Sequence, residues 1–335
     1  TAVGHAAADA ITTGNYNTAI GRHALSTATT ANNNTCVGYL ALQNTTSGYS
    51  NVAIGPNCLD ANTTGYNNVA VGKDALGQNT SGLENVAIGK DALQTNNANY
   101  NIGIGVQALN ANNNGTQNTA VGTTALAANS SGHYNNAFGH ATLNDVTSGE
   151  HNCGFGKTCG SSITTGDMNN VFGNNALTNS TTASYNNAFG YASLAQVTTG
   201  ENNVAMGHVA GYGITTGYSN VAIGNESLYA TTTGYQNTAV GYEAGENSTT
   251  GYRNTCIGWR SMHSGVTTGA ENAGVGMETL RDLTSGNWNS GIGRSAGEQI
   301  TTGSNNTCLG RNSGRNGSPS GQITTSSHNV VLGFN

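Results

Sequence analysis

The stretch TTGYNNVAVGKDALGQNTSGLENVAIGKDAL, Thr63 to Leu93, says nearly the same thing twice. Asn68–Leu76 reads NVAVGKDAL and Asn85–Leu93 reads NVAIGKDAL, a displacement of 17 residues. Outward from Gly72 and Gly89, the glycine that follows a large apolar residue recurs along the whole chain, from Gly4 to Gly333. There are 20 such anchors; of the 19 intervals between them sixteen are 17 residues long, and the others are 16, 18 and 23. Fixed-period self-similarity is the mark of a solenoid, and it overrides the two ordinary domains that 335 residues would otherwise suggest.

Each column of the repeat, numbered from its anchor glycine, carries a physical meaning. Position −1 is Val, Ile, Phe, Met or Leu throughout, and −2 is almost always Ala, Gly or Cys. The run from −4 to −1, for example Asn51–Ile54, reads as a short strand closed by glycine. A Gly-rich unit of this length leaves no room for a helix. The anchor is expected to turn a corner, by positive φ or by a backbone approach too close for a Cβ. The TTG or TSG sequence ending at −7 is the opposite turn. One repeat then makes one coil, and strands stacked in parallel at ~4.8 Å give a rod roughly 90 Å long. The expected fold is an all-β parallel β-solenoid of about 20 coils, with 1–310 regular and 311–335 a final coil carrying a six-residue insertion near Gly314–Gln322.

Asn fills −4 in every repeat that has the position: Asn17, Asn34, Asn51, Asn68, Asn85, Asn101, Asn118, Asn135, Asn152, Asn169, Asn186, Asn203, Asn220, Asn237, Asn254, Asn272, Asn289, Asn306 and Asn329. Stacked amides can bond one another up the column, and an unpaired buried amide would cost ~1–3 kcal/mol. Either a ladder or a local turn preference accounts for the column, and both are structural. Position +4 is Leu in 12 of 19 repeats; where it is Gly160, Gly211 or Gly297, an Ile follows three residues later, as Ile163, Ile214 or Ile300. One large filler per coil is required, and either slot serves. Because −1 and −2 point opposite ways along a strand yet are both apolar, both faces need cover. The small-residue face at −2 is expected to lie outward and admit another chain, in a homotrimer packed about the rod axis.

Repeats of the form NTAIGRHAL (Asn17–Leu25), NVAIGPNCL (Asn51–Leu59) and NTAVGYEAG (Asn237–Gly245) resemble the YadA-like head of trimeric autotransporter adhesins and related repeats of bacteriophage tail fibres. The resemblance implies a left-handed parallel β-roll, three chains side by side, and an extracellular place on a virion tail fibre or bacterial cell surface. The chain opens mid-repeat and reads as a segment of a longer fibre.

Composition narrows the function. Charged residues are 8% against a typical ~25%, the net charge is −6, and no apolar run is long enough to span a membrane. Neither nucleic-acid binding nor direct membrane insertion is expected, and no cofactor or metal site is indicated: the eight His sit at scattered offsets. The six Cys occupy slots otherwise held by small residues and read as buried free thiols. Asp74 with Asp91, and Glu226 with Glu243, share +2 in adjacent coils at a separation suggestive of a retaining glycosidase. That slot is expected to face solvent, with Lys73 and Lys90 beside the Asp pair, so the carboxylates read as solvated surface charge and a carbohydrate-active spike is kept as the competing function. An ice-binding Thr face is a lesser alternative, interrupted at Asn96-Asn97 and Asn113-Asn114. Rings beside the TTG turn, among them Tyr49, Tyr66, Tyr218, Tyr235, Tyr252 and Trp288, either contact glycan or stack on one another. The expected function is a non-enzymatic fibre or adhesin segment for host or surface attachment, with a glycan or protein receptor.

Overall fold

The computed structural model describes residues 1–315 and 323–333. The fold is an all-β solenoid of parallel strands spaced 17 residues apart, with no helix among the described residues. The chain divides into two compact units, Thr1–Met168 and Asn169–Asn335. Unit 1 holds ten strands, β1 (Ala2–Val3) through β10 (Cys153–Phe155), and unit 2 holds ten more, β11 (Asn170–Phe172) through β20 (Val330–Leu332). Most of the insertion marked in the sequence, 316–322, lies outside the described residues.

Strand register follows the repeat, so like residues stack on like. Val52, Val69 and Val86 pair in succession, as do Ala53, Ala70 and Ala87. The odd intervals leave the strands in register: Val86 pairs with Ile102 across the 16-residue coil, Thr255 with Ala273 across the 18-residue coil, and Thr307 with Val330 across the 23-residue coil. The length changes are therefore absorbed in the turns.

The direction of the strand faces reverses the expectation drawn from the sequence. Position −2 points into the coil: Ala53, Ala70, Ala87 and Cys36 are completely buried. Positions −3 and −1 point outward, leaving Ile54, Ile88, Met206 and Ile292 exposed. The reason is volume. The buried +4 leucines fill the coil interior; a Cβ placed on Gly103, at −2, would lie 3.0 Å from Leu93 Cγ. Only small side chains fit opposite them, so Ala, Gly and Cys go inside and the large residues go out.

The anchor glycines satisfy both reasons proposed for them. Gly72 has φ +133°, and a Cβ there would approach the carbonyl oxygen of Gly89 to 2.6 Å. Less expected is the backbone beyond the anchor. Positive φ occurs at +2 and +4 even where those residues are not glycine, as at Asp74 (56°) and Leu76 (51°). The alternation turns the Asp74 N–H back to Pro56 O (3.1 Å) and the Leu76 N–H forward to Ala92 O (3.0 Å). Left-handed conformations cost ~1–2 kcal/mol per residue, and these inter-coil hydrogen bonds offset that cost. The Gly/Ile exchange follows directly: Gly160 (φ +58°) and Gly211 (φ +60°) suit the left-handed +4 slot, and the buried Ile163 and Ile214 fill the space left there. In the coil of Gly245 and Ser248, which has neither filler, the Cys256 sulfur stands 3.4 Å from where a Gly245 Cβ would lie and 3.3 Å from the Met262 sulfur of the next coil.

The −4 asparagines form a buried hydrogen-bonded column in each unit. Asn68 donates both its backbone N–H (3.0 Å) and its side-chain Nδ2 (3.2 Å) to Asn51 Oδ1, and Nδ2 also reaches Gly82 O at 2.9 Å. Unit 1 contains a second amide column, at +7, which sequence reasoning did not single out. Asn62, Asn79, Asn96, Asn112 and Asn129 are completely buried, with Asn79 donating to Asn62 at 3.1 Å and Asn112 to Asn96 at 2.6 Å.

Candidate functional site

Three features of the surface could meet a partner: a sheet face, an aromatic stripe and a charged side. The sheet face is the outward column pair at −3 and −1. In unit 1 it carries Val52 and Ile54, Val69 and Val71, then Val86 and Ile88; in unit 2, Val204 and Met206, then Val221 and Ile223. Phe138 stacks on Phe155 (4.5 Å between ring centroids) and Phe172 on Phe189 (4.9 Å) along the same column. The −3 column alternates between apolar residues and Thr, Asn or Ser, as at Thr119 and Asn136, but −1 is apolar in every strand, and a continuous apolar column of this kind is unusual on a surface that meets only water.

The aromatic residues named from the sequence lie beside the TTG turn and largely stack on one another. Tyr49 is parallel to Tyr66 at 4.7 Å. Tyr218, Tyr235 and Tyr252 form a three-ring ladder with centroids 5.0 and 4.9 Å apart. Trp288 lies outside the ladder and donates its indole Nε1–H to Glu271 Oε2 at 2.7 Å. Arg253 links the two groups: its guanidinium sits 5.8 Å from the Tyr252 ring centroid and pairs with Glu271 at 3.1 Å. Within each stack the facing sides of the rings are taken by one another, and Tyr235 is covered on both faces. The first Thr of many TTG turns also spends its hydroxyl on the coil ladder: Thr63 Oγ1 donates to Thr80 O at 2.9 Å, and Thr198 and Thr215 bond the next coil in the same way.

The +2 carboxylates are less exposed than expected. Asp91 is 9% exposed and Glu243 6%, because the left-handed +2 backbone folds the side chain against the next coil. Asp74 takes a salt bridge from Lys73 (2.7 Å) and a hydrogen bond from Asn57 Nδ2 (3.0 Å), and Lys90 pairs with Asp91 at 3.2 Å. Burial alone would raise the Asp74 carboxyl, but Lys73, Asn57 and Lys90 together hold it below the usual range. Glu243 is likewise lowered: burial opposes it, and Arg260, the Tyr242 hydroxyl and His263 outweigh burial. A carboxyl held ionised in this way is poorly suited to donate a proton at neutral pH.

In unit 2 the +5 column runs Tyr212, Tyr229, Glu246, His263, Arg281, Glu298, Arg315, and its members interact in groups: the two tyrosines, Glu246 with His263, and Glu298 with both arginines. Tyr212 stacks on Tyr229 at 5.3 Å, and with Tyr191, Gln196 and Asn179 these rings border a groove of about 420 Å³. Glu298, nearly inaccessible, pairs with Arg281 and with Arg315 Nε at 3.0 Å; the Arg315 contact is close without hydrogen-bond alignment, so its contribution is that of charge. Between them, His263 Nε2 lies 2.9 Å from Glu243 Oε2 and 2.6 Å from Glu246 Oε2. Sequence reasoning passed over this cluster because it judged His spacing along the chain; reading down +5 places Glu246 and His263 one coil apart.

All six cysteines are free thiols, and only Cys153, at −3, is more than marginally accessible. No protein-family model matches the chain, and no curated protein matches it.

Proposed function

We propose that this chain is a non-enzymatic fibre segment, extracellular on a phage tail or a bacterial surface, that assembles with two further copies of itself and serves host or surface attachment. The observation that carries this reading is the outward column at −1, apolar in every strand and flanked at −3 by valines such as Val52, Val69 and Val86. A side chain such as Ile or Val gains ~1.5–3 kcal/mol when fully buried, and each unit repeats such residues coil after coil. A second copy of the same sequence presents the same strip at the same spacing, so the partner that best covers it is the chain itself. The repeat supports a scaffold role in another way: the −4 asparagines, the +7 amides of unit 1 and the TTG hydroxyls are committed to holding coils together, which suits a spacer.

Sedimentation equilibrium of the full chain tests the assembly. The expected mass is three times 33.9 kDa, and Ile54→Lys with Ile88→Lys should give monomers of unchanged β-sheet circular dichroism. A wild-type chain that stays monomeric at micromolar concentration would refute the assembly. Incubation with host polysaccharide tests the absence of catalysis, and released oligosaccharide would make the chain a carbohydrate-active spike instead.

A further inference from the structure

We propose that Glu243, Glu246 and His263 form a binding site for a divalent transition-metal ion of the zinc class. Three donor atoms from two neighbouring coils converge within 4.8 Å of one another: one carboxylate oxygen from each Glu and one imidazole nitrogen. Glu243 and Glu246 belong to the coil begun by Gly241, and His263 to the coil begun by Gly258, where it stacks directly over Glu246. One imidazole nitrogen with two carboxylate oxygens is a donor set that zinc accepts, and three protein ligands leave a fourth position for water.

The geometry is close to what an ion requires. With metal–ligand distances of ~2.0–2.2 Å and tetrahedral angles, donors lie roughly 3.4 Å apart. The present separations from His263 Nε2 are 2.9 and 2.6 Å, so roughly 0.5–0.8 Å of side-chain movement opens the site. The ring is already oriented: Ser264 Oγ lies 3.1 Å from Nδ1, which leaves Nε2 for the carboxylates, while Asn247 Nδ2 fixes the backbone below by donating to the His263 carbonyl at 2.7 Å.

Local charge and burial point the same way. Glu226, Glu243 and Glu246 act on this region together, with the Arg260 guanidinium as the cation that opposes them. Glu243 is 6% exposed and Glu246 and His263 are half-buried, so the carboxylates cannot be fully hydrated. Arg260, 2.6 Å from Glu243 Oε2 and stacked on Trp259, is the group the ion has to share that carboxylate with.

The placement gives the ion a task. The coil from Gly258 is the one with an 18-residue interval, and an isolated bridge between Ser248 and Thr267 stands beside its turn. An ion held by both coils would clamp this irregular turn to its regular neighbour.

Cobalt(II) titration of the chelator-treated full chain tests the site through the ion's visible absorption. The expected result is one saturable ion per chain with a tetrahedral band, displaced by zinc. His263→Ala and Glu246→Gln should lose it, His208→Ala should keep it, and Arg260→Ala should bind several-fold tighter, each with wild-type circular dichroism. No saturable uptake at millimolar cobalt, or uptake unchanged in His263→Ala, overturns the proposal and leaves the three side chains as an ion-paired knot.

Discussion

Asn129 donates its side-chain amide to Asn112 Oδ1 at 2.7 Å and to Gly132 O at 3.1 Å, while its own Oδ1 meets no donor among the described residues. The column ends there because the next coil places Val146, fully buried, at the equivalent +7 position. An unmet buried acceptor costs ~1–3 kcal/mol. Val146→Asn would supply the missing donor, offsetting the apolar burial it gives up, and should unfold in urea within about 1 kcal/mol of wild type. Ile163→Asn is the contrast. It stands over Val146, which offers no amide, and should cost roughly 3–5 kcal/mol. Equal penalties for the two would mean the column is not cooperative.

The exchange between +4 and +7 makes a second prediction, read from a double-mutant cycle. Ile163→Ala opens a cavity and should cost about 2–5 kcal/mol. Gly160→Leu alone overpacks, since even a Cβ there would lie 2.7 Å from Leu143 Cδ2 and 3.0 Å from Ile163 Cδ1. Together they rebuild the pattern of Leu177 over Ser180, and the pair should recover at least about 1 kcal/mol relative to the sum of the singles. Strict additivity would separate the two slots.

The fold was legible in the sequence because glycine at one column, asparagine at another and leucine at a third recur with one period, and only a stacked coil gives all three a reason. The strand's inner face was not. In Val52-Ala53-Ile54 the pattern large-small-large marks alternation but not which side is dry; that depends on Leu59 and its equivalents already filling the interior. The left-handed leucines were also hidden, although glycine at Gly160, Gly211 and Gly297 in the same column was a trace of them. Of the candidate sites, the −4 asparagines and the tyrosine stripe were visible as columns. Glu246 with His263 was not, because each residue is unusual only within its own coil and the relationship exists only between coils.

Thiol chemistry distinguishes inside from outside. Burial pushes Cys36, Cys58 and Cys256 up to about 12, and Cys159 and Cys308 to about 11. Cys153 is raised by the same cause, yet it sits half-buried on the outward strand face. Maleimide at neutral pH should label Cys153 alone in chains dissociated by Ile54→Lys and Ile88→Lys, none in the assembled protein, and all six in guanidinium. Rapid native labelling of Cys36 or Cys256, located by peptide mass, would contradict the inward direction of −2.

Acid should act on the two classes of carboxyl in opposite senses. Asp74 and Glu243 have pKa values below those of the unfolded chain, ~3.9 for Asp and ~4.3 for Glu, so their contribution is complete above those values and is lost as pH falls through the folded ones. Asp60 is the reverse. Burial raises its carboxyl first, and the neighbouring Asp74 adds to the shift. Its charged form is therefore disfavoured in the folded chain, a penalty that grows as pH rises through the unfolded value and is complete above the folded one. Asp60→Asn should be at least as stable as wild type at pH 7 and lose that advantage near pH 3, whereas Asp74→Asn should be less stable than wild type at pH 7 and converge on it in acid. Urea midpoints of the chelator-treated chain at pH 7, 5 and 3 check both, and the same pH trend in the two variants would show that the charge environments of Asp60 and Asp74 are not distinct.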